Sequence, residues 1–233
     1  MNRVLFVLAQ LILLLSHNIY AQGSRSSIEG YSEEVISATD LSNWSFYGKG
    51  KAYEDKIHKQ FCISEDDGSK GVVMVSPKEY GENVVVRYST MTLTPATVLV
   101  AILSASDLGK SSDLSIPQDY DGGISYWLKE CENYFFAFRN APHNKTPFLR
   151  KWPIPGSTPL IQAKENVMSS GIYYDMEIGR RGHTLWLKIN EKLIFKIKDE
   201  NILEGGHVAF RARGIPGFKA AFLIKDVSIF TPN

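Results

Sequence analysis

Hydrophobic and polar residues alternate along the second half of the chain. In Thr184–Ile189, Leu185, Leu187 and Ile189 share one face, and Thr184, Trp186 and Lys188 share the other. In Lys192–Lys198, Leu193, Phe195 and Ile197 oppose Lys192, Lys196 and Lys198. Within His207–Arg213, Val208, Phe210 and Ala212 oppose His207, Ala209, Arg211 and Arg213. A period of two predicts strands with one buried and one solvated face, as antiparallel sheets have. Strands are predicted too at Trp44–Tyr47, Gln60–Ser64, Gly71–Ser76, Asn83–Thr92, Thr97–Ser104, Ile124–Lys129, Tyr134–Arg139, Ile172–Ile178 and Ala221–Phe230. Turn residues punctuate them, among them Asp66-Asp67-Gly68, Asn190-Glu191 and Gly205-Gly206. So many short strands with few helical stretches predict an all-β protein, a two-sheet antiparallel jelly-roll sandwich. Residues 105–122 form a long Ser/Asp/Gly-rich connection, of a length that tends to border a site.

The bulk numbers narrow the function classes. The 233 residues carry 44% hydrophobic and 22% charged positions, an ordinary globular balance. A net charge of +1 gives no global field toward nucleic acid or an anionic membrane, so recognition has to be local. Met1-Asn2-Arg3, the apolar run Val4–Leu15 and Ile19-Tyr20-Ala21 have the layout of a secretory signal peptide. The expected organisation is a signal peptide at 1–21, a flexible lead-in at 22–32 and one jelly-roll domain at 33–233. The mature protein is then exported, periplasmic or extracellular, and free of the membrane. Export permits a disulfide between Cys62 and Cys131, and two buried thiols are the equal alternative. There is no CxxC or HExxH and the five His do not cluster, so neither a metal site nor a cofactor is expected.

Two groups of residues carry a resemblance. Ile172–Asp199, with its strand–turn–strand–Asn–strand–Asp rhythm, then GGHVAFRARG and AFLIKDVSIF, resembles the C-terminal half of concanavalin A-like lectin/glucanase folds. Trp44, Tyr47-Gly48-Lys49-Gly50, Tyr53-Glu54-Asp55, Gly123-Ile124-Ser125-Tyr126 and Leu149-Arg150-Lys151 look like the YesU-type branch of that superfamily. The resemblance implies a bacterial protein of a polysaccharide-utilisation system with a poly- or oligosaccharide as partner. It leaves a structural calcium ion open, because lectin-like sandwiches often carry one. Oligomeric state is not legible.

Candidate chemistry concentrates between Gly123 and Pro153. Two strand-like aromatic runs, Ile124–Lys129 and Asn133–Arg139, joined by a turn at Glu130–Asn133, lead into a loop dense in donors. That loop holds Arg139, Asn140, His143, Asn144, Lys145, Thr146, Arg150, Lys151 and Trp152. Arg211 and Arg213, beside small Ala209 and with His207, share one strand face. Guanidinium groups bind carboxylates in a bidentate fork, and Tyr126, Tyr134 and Trp152 are rings that stack on sugars. The bland alternative pairs these arginines with Asp119, Asp121, Glu130 or Glu132, at roughly 0–1 kcal/mol each.

The implied ligand is a saccharide that can carry uronic acids, handled by hydrolysis, by β-elimination or by binding alone. A structural or protein-interaction sandwich is the further alternative. Jelly-roll lyases imply a division of roles here. Arg139 and Asn144 would neutralise a carboxylate, His143 or Tyr126 would take the proton, and Arg211 would hold a neighbouring sugar. Asp175 and Glu177 share a strand face, as glucanase acids do, but the third acid of that motif is absent, which favours an ordinary outer strand facing Lys188 or Lys196. Trp186, on a polar strand face, is a sugar platform or a packed side chain.

Overall fold

In a computed structural model, residues 26–109, 113–153 and 158–233 are described; the expected signal peptide lies outside them. Tyr31–Asn233 forms one compact unit. Its first sheet comprises β1 (Tyr31–Ile36), β3 (Gly50–Asp55), β4 (Gln60–Glu65), β6 (Val84–Thr92), β11 (Tyr174–Arg181), β12 (Thr184–Ile189), β13 (Lys192–Lys198) and β15 (Ala221–Pro232). The order is β13-β12-β11-β6-β15-β4-β3, with β1 also on β15. The second sheet comprises β2 (Ser45–Gly48), β5 (Val72–Tyr80), β7 (Val98–Asp107), β8 (Cys131–Arg139), β9 (Phe148–Trp152), β10 (Ile161–Gln162) and β14 (Gly206–Arg213). Its order is β10-β9-β8-β7-β14-β5-β2. Neighbouring strands pair antiparallel, which makes the expected two-sheet jelly-roll sandwich.

Alternation decides what meets between the sheets. Tyr88, Met176, Ile178, Leu187 and Ile229 from the eight-stranded sheet face Leu99, Leu103, Phe136 and Phe210 from the seven-stranded one. Tyr88 and Phe210 meet edge-on at 4.8 Å, a geometry that favours ring quadrupoles. The seven-stranded sheet is unusual in having a second apolar cluster on its outer face, built on Val73, Val100, Ile102, Phe135 and Ala209. Strands such as Val98–Asp107 are therefore buried on both faces, and their residues read as a continuous apolar run.

Three expectations change. Ile124–Lys129 is not a strand but a short helix, α2, following α1 (Ala38–Leu41). Trp127 is its fully buried residue and Gly123 its N-cap. Six residues span less than two turns, too few for a period to separate helix from strand. The expected turn at Glu130–Asn133 instead leads straight into β8, which begins at Cys131. The flexible lead-in also ends earlier than read, since Tyr31 and Ser32 already pair with Pro232 and Thr231.

Candidate functional site

The outer face of the seven-stranded sheet is covered over only part of its area. Leu114, Ile116, Tyr120, Tyr126 and Leu128 pack on its apolar cluster, with Trp127 at the centre. The Trp127 indole donates to the Tyr120 hydroxyl at 2.8 Å, and that hydroxyl donates to the Gly123 carbonyl at 2.7 Å. The segment is fastened to the start of β5 by a backbone contact that only glycine allows. A Cβ on Gly122 would lie 1.7 Å from the Gly71 oxygen, and both residues have positive φ, +84° and +131°. Arg211 clamps the same junction by donating to Gly122 O at 2.8 Å and Lys70 O at 3.2 Å. An ion pair between Lys70 and Asp121, at 2.7 Å, crosses it at the surface.

Beside this cover lies a groove of about 460 Å³. Val98 and Val100 of β7, Phe135 and Ala137 of β8 and Phe148 of β9 form its apolar lining. Ser125, Asn140, His143, Lys70, Arg211 and Arg213 bring donors to it. His143 ends a single 3₁₀ turn, Ala141–His143, and is exposed. Its backbone N–H donates to Asn140 O at 3.0 Å. Arg213 donates to Ser69 O at 3.0 Å, while the Arg211 guanidinium is buried and committed to main-chain carbonyls. The described lining residues include no Asp or Glu. An apolar wall with a few convergent donors is what a small polar ligand with one apolar face requires.

Of the residues expected at a site, His143, Arg211 and Arg213 meet at this groove. Asn144 follows His143 in left-handed conformation, its N–H on Ala141 O at 2.8 Å, and is exposed beside the groove without lining it. Arg150 and Trp152 lie on the same sheet face one and two alternations beyond Phe148. Trp152 is buried in the outer cluster and does not line the groove. Tyr126 is packed against Tyr120 and Trp127 with its hydroxyl buried and unpartnered. Burial pushes its pKa up, so at neutral pH it is protonated and unsuited to act as a base.

Three expected residues lie elsewhere. Tyr134 points between the sheets, donating to Asp199 Oδ2 at 2.7 Å and accepting from Leu203 N at 3.0 Å. Arg139 is turned off the outer face by an irregularity in the β7–β8 register, where it pairs with the core residue Leu99. It is buried and donates to Thr97 O, Pro95 O and Ser170 Oγ. His207 borders a different cavity with Lys78, Glu79 and Asp113, its Nδ1 at 2.8 Å from Ser76 O. The groove residues that the sequence reading did not single out are Lys70, Val98, Val100, Ser125, Phe135, Ala137 and Phe148. The alternation in Phe148–Trp152 was the available signal.

The remaining candidates sit apart from the groove. Asp175 and Glu177 are on the outer face of the eight-stranded sheet, opposite Ser89 and Arg87 on β6. Glu177 receives Arg87 Nε, Lys188 Nζ and Trp186 Nε1, each at 2.8 Å. That is the outer-strand arrangement expected of a carboxylate facing Lys188. Trp186 packs over Gly179, where a Cβ would meet its ring at 2.1 Å. Cys62 and Cys131 are free thiols, and burial pushes the Cys131 thiol up to about 12. Among the described residues no three His, Cys, Asp or Glu side chains converge as a metal site.

No protein-family model matches the chain, and no curated protein matches its sequence. Solved structures do match in fold. A Bacillus subtilis protein of unknown function with a galectin-like fold superposes with a TM-score of 0.69 at 14% identity, over 87% of this chain and 100% of that one. The carbohydrate-binding module CBM66 from Bacillus subtilis gives 0.52 at 10% identity, over 87% and 96%. The κ-carrageenase from Pseudoalteromonas carrageenovora, solved with an oligotetrasaccharide, gives 0.52 at 7%, over 90% and 98%. At these identities the likeness is one of fold: the chain is a galectin-like, concanavalin A-like jelly roll.

Proposed function

We propose that this is an exported carbohydrate-binding protein that holds a poly- or oligosaccharide in the groove on the outer face of the seven-stranded sheet. The observation that carries the reading is the groove's composition. Val98, Val100, Phe135, Ala137 and Phe148 offer an apolar surface to a sugar ring, and Ser125, Asn140, His143 and Arg213 offer donors to its hydroxyls. Fold neighbours named as a carbohydrate-binding module and a carrageenase support the same ligand class. Hydrolysis by a carboxylate pair needs two acids flanking the scissile bond, about 5–9.5 Å apart. The described lining supplies none, which favours binding over hydrolysis.

A second reading, β-elimination at a uronic acid, has one observation in its favour: His143 is exposed at the groove that Arg213 also lines. His143 would accept the C5 proton next to the carboxylate that Arg213 neutralises, while the C4–O bond breaks as the ring double bond forms and the leaving oxygen takes a proton from solvent. Membership of the YesU-type branch, and export after cleavage behind Ala21, belong to the same proposal. Secretion is tested by the mass of the protein recovered from the periplasm or medium of a bacterial host.

The ligand is tested by native affinity electrophoresis of the chain from Gln22 on laminarin, xylan, dextran, polygalacturonate and alginate gels, with reducing ends and ultraviolet absorbance followed in parallel. Retardation lost in Ala137→Trp, which fills the groove, is the expected result. Unsaturated product would move the assignment to the lyase. Reducing ends without it would overturn the non-catalytic reading in favour of a hydrolase. Retardation untouched by Ala137→Trp, or none on any gel, would overturn the groove.

A further inference from the structure

Strand β9 presents Phe148, Arg150 and Trp152 on the outer sheet face, in sequence alternation. Phe148 lines the groove, and Phe135, which also lines it, is the cross-strand partner of Arg150. Arg150 is therefore one alternation, about 6.6 Å along the strand, from the groove wall. Its guanidinium carbon lies 4.8 Å from the Phe148 ring centroid and 5.5 Å from that of Trp152. Two rings hold the cation in place and remove part of its water.

What this cation lacks is an acceptor. Its Nε is buried without a hydrogen-bond partner. Arg139, Arg180 and Arg211 send their guanidinium groups to main-chain carbonyls, and Arg87 goes to Glu177. Among the described residues Arg150 has no such hydrogen bond and no ion pair. A partly desolvated guanidinium left without an acceptor is costly. A ligand oxygen would offset that cost. Beside it the Trp152 indole nitrogen and Asn133 Oδ1, on directly paired residues, are also buried and unpartnered. Burial pulls the pKa of Arg150 down, in keeping with that desolvation.

We infer that Arg150, held between Phe148 and Trp152, forms a subsite next to the groove that reads a carboxylate or sulfate group on the bound carbohydrate. The inference rests on the groove reading and specifies the charge of its ligand. A guanidinium fork matches either oxoanion in a bidentate way. The groove itself agrees: its described lining carries Lys70, Arg211, Arg213 and His143 and no carboxylate. Because the whole chain has a net charge of only +1, a preference for anionic polymers has to arise at such a local site.

Two matched pairs of polymers separate charge from sugar and carboxylate from sulfate. These are polygalacturonate against its methyl ester, and dextran sulfate against dextran. The expected result is binding about tenfold tighter to one charged polymer than to its uncharged partner, weakened by salt. Arg150→Gln removes that preference while leaving affinity for the uncharged partner within about twofold. Arg150→Lys, which keeps the charge and loses the fork, retains part of it. Thermal melts of both variants separate selectivity from folding. Equal affinity for both members of each pair, or a preference unchanged in Arg150→Gln, would overturn the inference and leave the groove standing if Ala137→Trp still blocks binding. Anion binding that survives Ala137→Trp but falls in Arg150→Gln would keep the subsite and sink the groove. No binding to any of the four polymers would overturn both.

Discussion

Arg139, Arg180 and Arg211 each turn a buried guanidinium toward main-chain carbonyls at places where the chain has left a sheet. Arg180 reaches Glu204 O at 2.8 Å and also donates to Leu203 O and Ser104 Oγ. The geometry explains why Arg139 and Arg211, which look like ligand-binding residues in sequence, commit their guanidinium groups to loop carbonyls. A strand-edge carbonyl without a partner costs about as much as a lost hydrogen bond, and a five-donor fork can satisfy several at once. Tyr134 belongs to the same class. Its hydroxyl links Asp199 to Leu203 N, and Lys151 adds a third contact to Asp199 at 2.9 Å. Tyr134→Phe is expected to lose about 1.5–3 kcal/mol in urea melts, the scale of a hydrogen bond to a charged group, with carbohydrate affinity unchanged. A loss of affinity without a loss of stability would return Tyr134 to the ligand site. The residue types of the site were legible in the sequence. Which face each arginine takes was not, because one register irregularity beside Leu99 moves Arg139 from one side of the sheet to the other.

At the level of elements, legibility followed solvent. Thr184–Ile189 and Lys192–Lys198 have the bounds their alternation predicts, and β12 has one face buried and the other wet. In β13 the alternation fails at one end: an irregularity in the β12–β13 register, between Leu187 and Lys188, leaves Leu193 exposed and packs Ile194 on the core. Strand β8 shows no such rhythm, because Tyr134 and Phe136 meet the core while Phe135 and Ala137 meet the outer cluster. Strand β9 was hidden for a different reason. Its Arg150 and Lys151 read as a cationic loop, although Lys151 is tucked against Asp199 and Arg150 lies between rings. Helix α2 was hidden by its brevity, and its position depends on tertiary contacts rather than propensity. Its anchor is Trp127, and its entry is the glycine contact between residues 71 and 122. Gly122→Ala places a methyl group against the Gly71 carbonyl in a conformation that L residues avoid. It is expected to cost at least about 1–3 kcal/mol and to loosen the Gly123–Ser125 rim, so ligand affinity should fall together with the melting temperature. Binding that is unaffected while stability drops would mean that α2 does not shape the groove.

Across the whole molecule, two carboxylates tie stability to pH from different parts of the eight-stranded sheet. Glu177 lies on the outer face of the eight-stranded sheet, and Asp199 sits at the end of the core beside Tyr134. Burial pushes each carboxyl up. Lys188, Trp186 and Arg87 outweigh it at Glu177, and Tyr134, Lys151 and the Asn201 backbone N–H outweigh it at Asp199, so both titrate below their ordinary range. A group whose folded pKa is depressed stabilises the fold fully only above its unfolded pKa, about 4 for these carboxyls. That contribution is lost as pH falls through the folded value. Urea unfolding should therefore give a plateau above about pH 5 and a decline that begins near pH 4. Glu177→Gln and Asp199→Asn should each lower stability on the plateau by about 1–3 kcal/mol and flatten the acid decline, the double variant most. The two sites share no described hydrogen-bond or ion-pair partner, so their effects on the slope should add. An acid limb of the same steepness in wild type and double variant would show that other carboxylates govern acid unfolding.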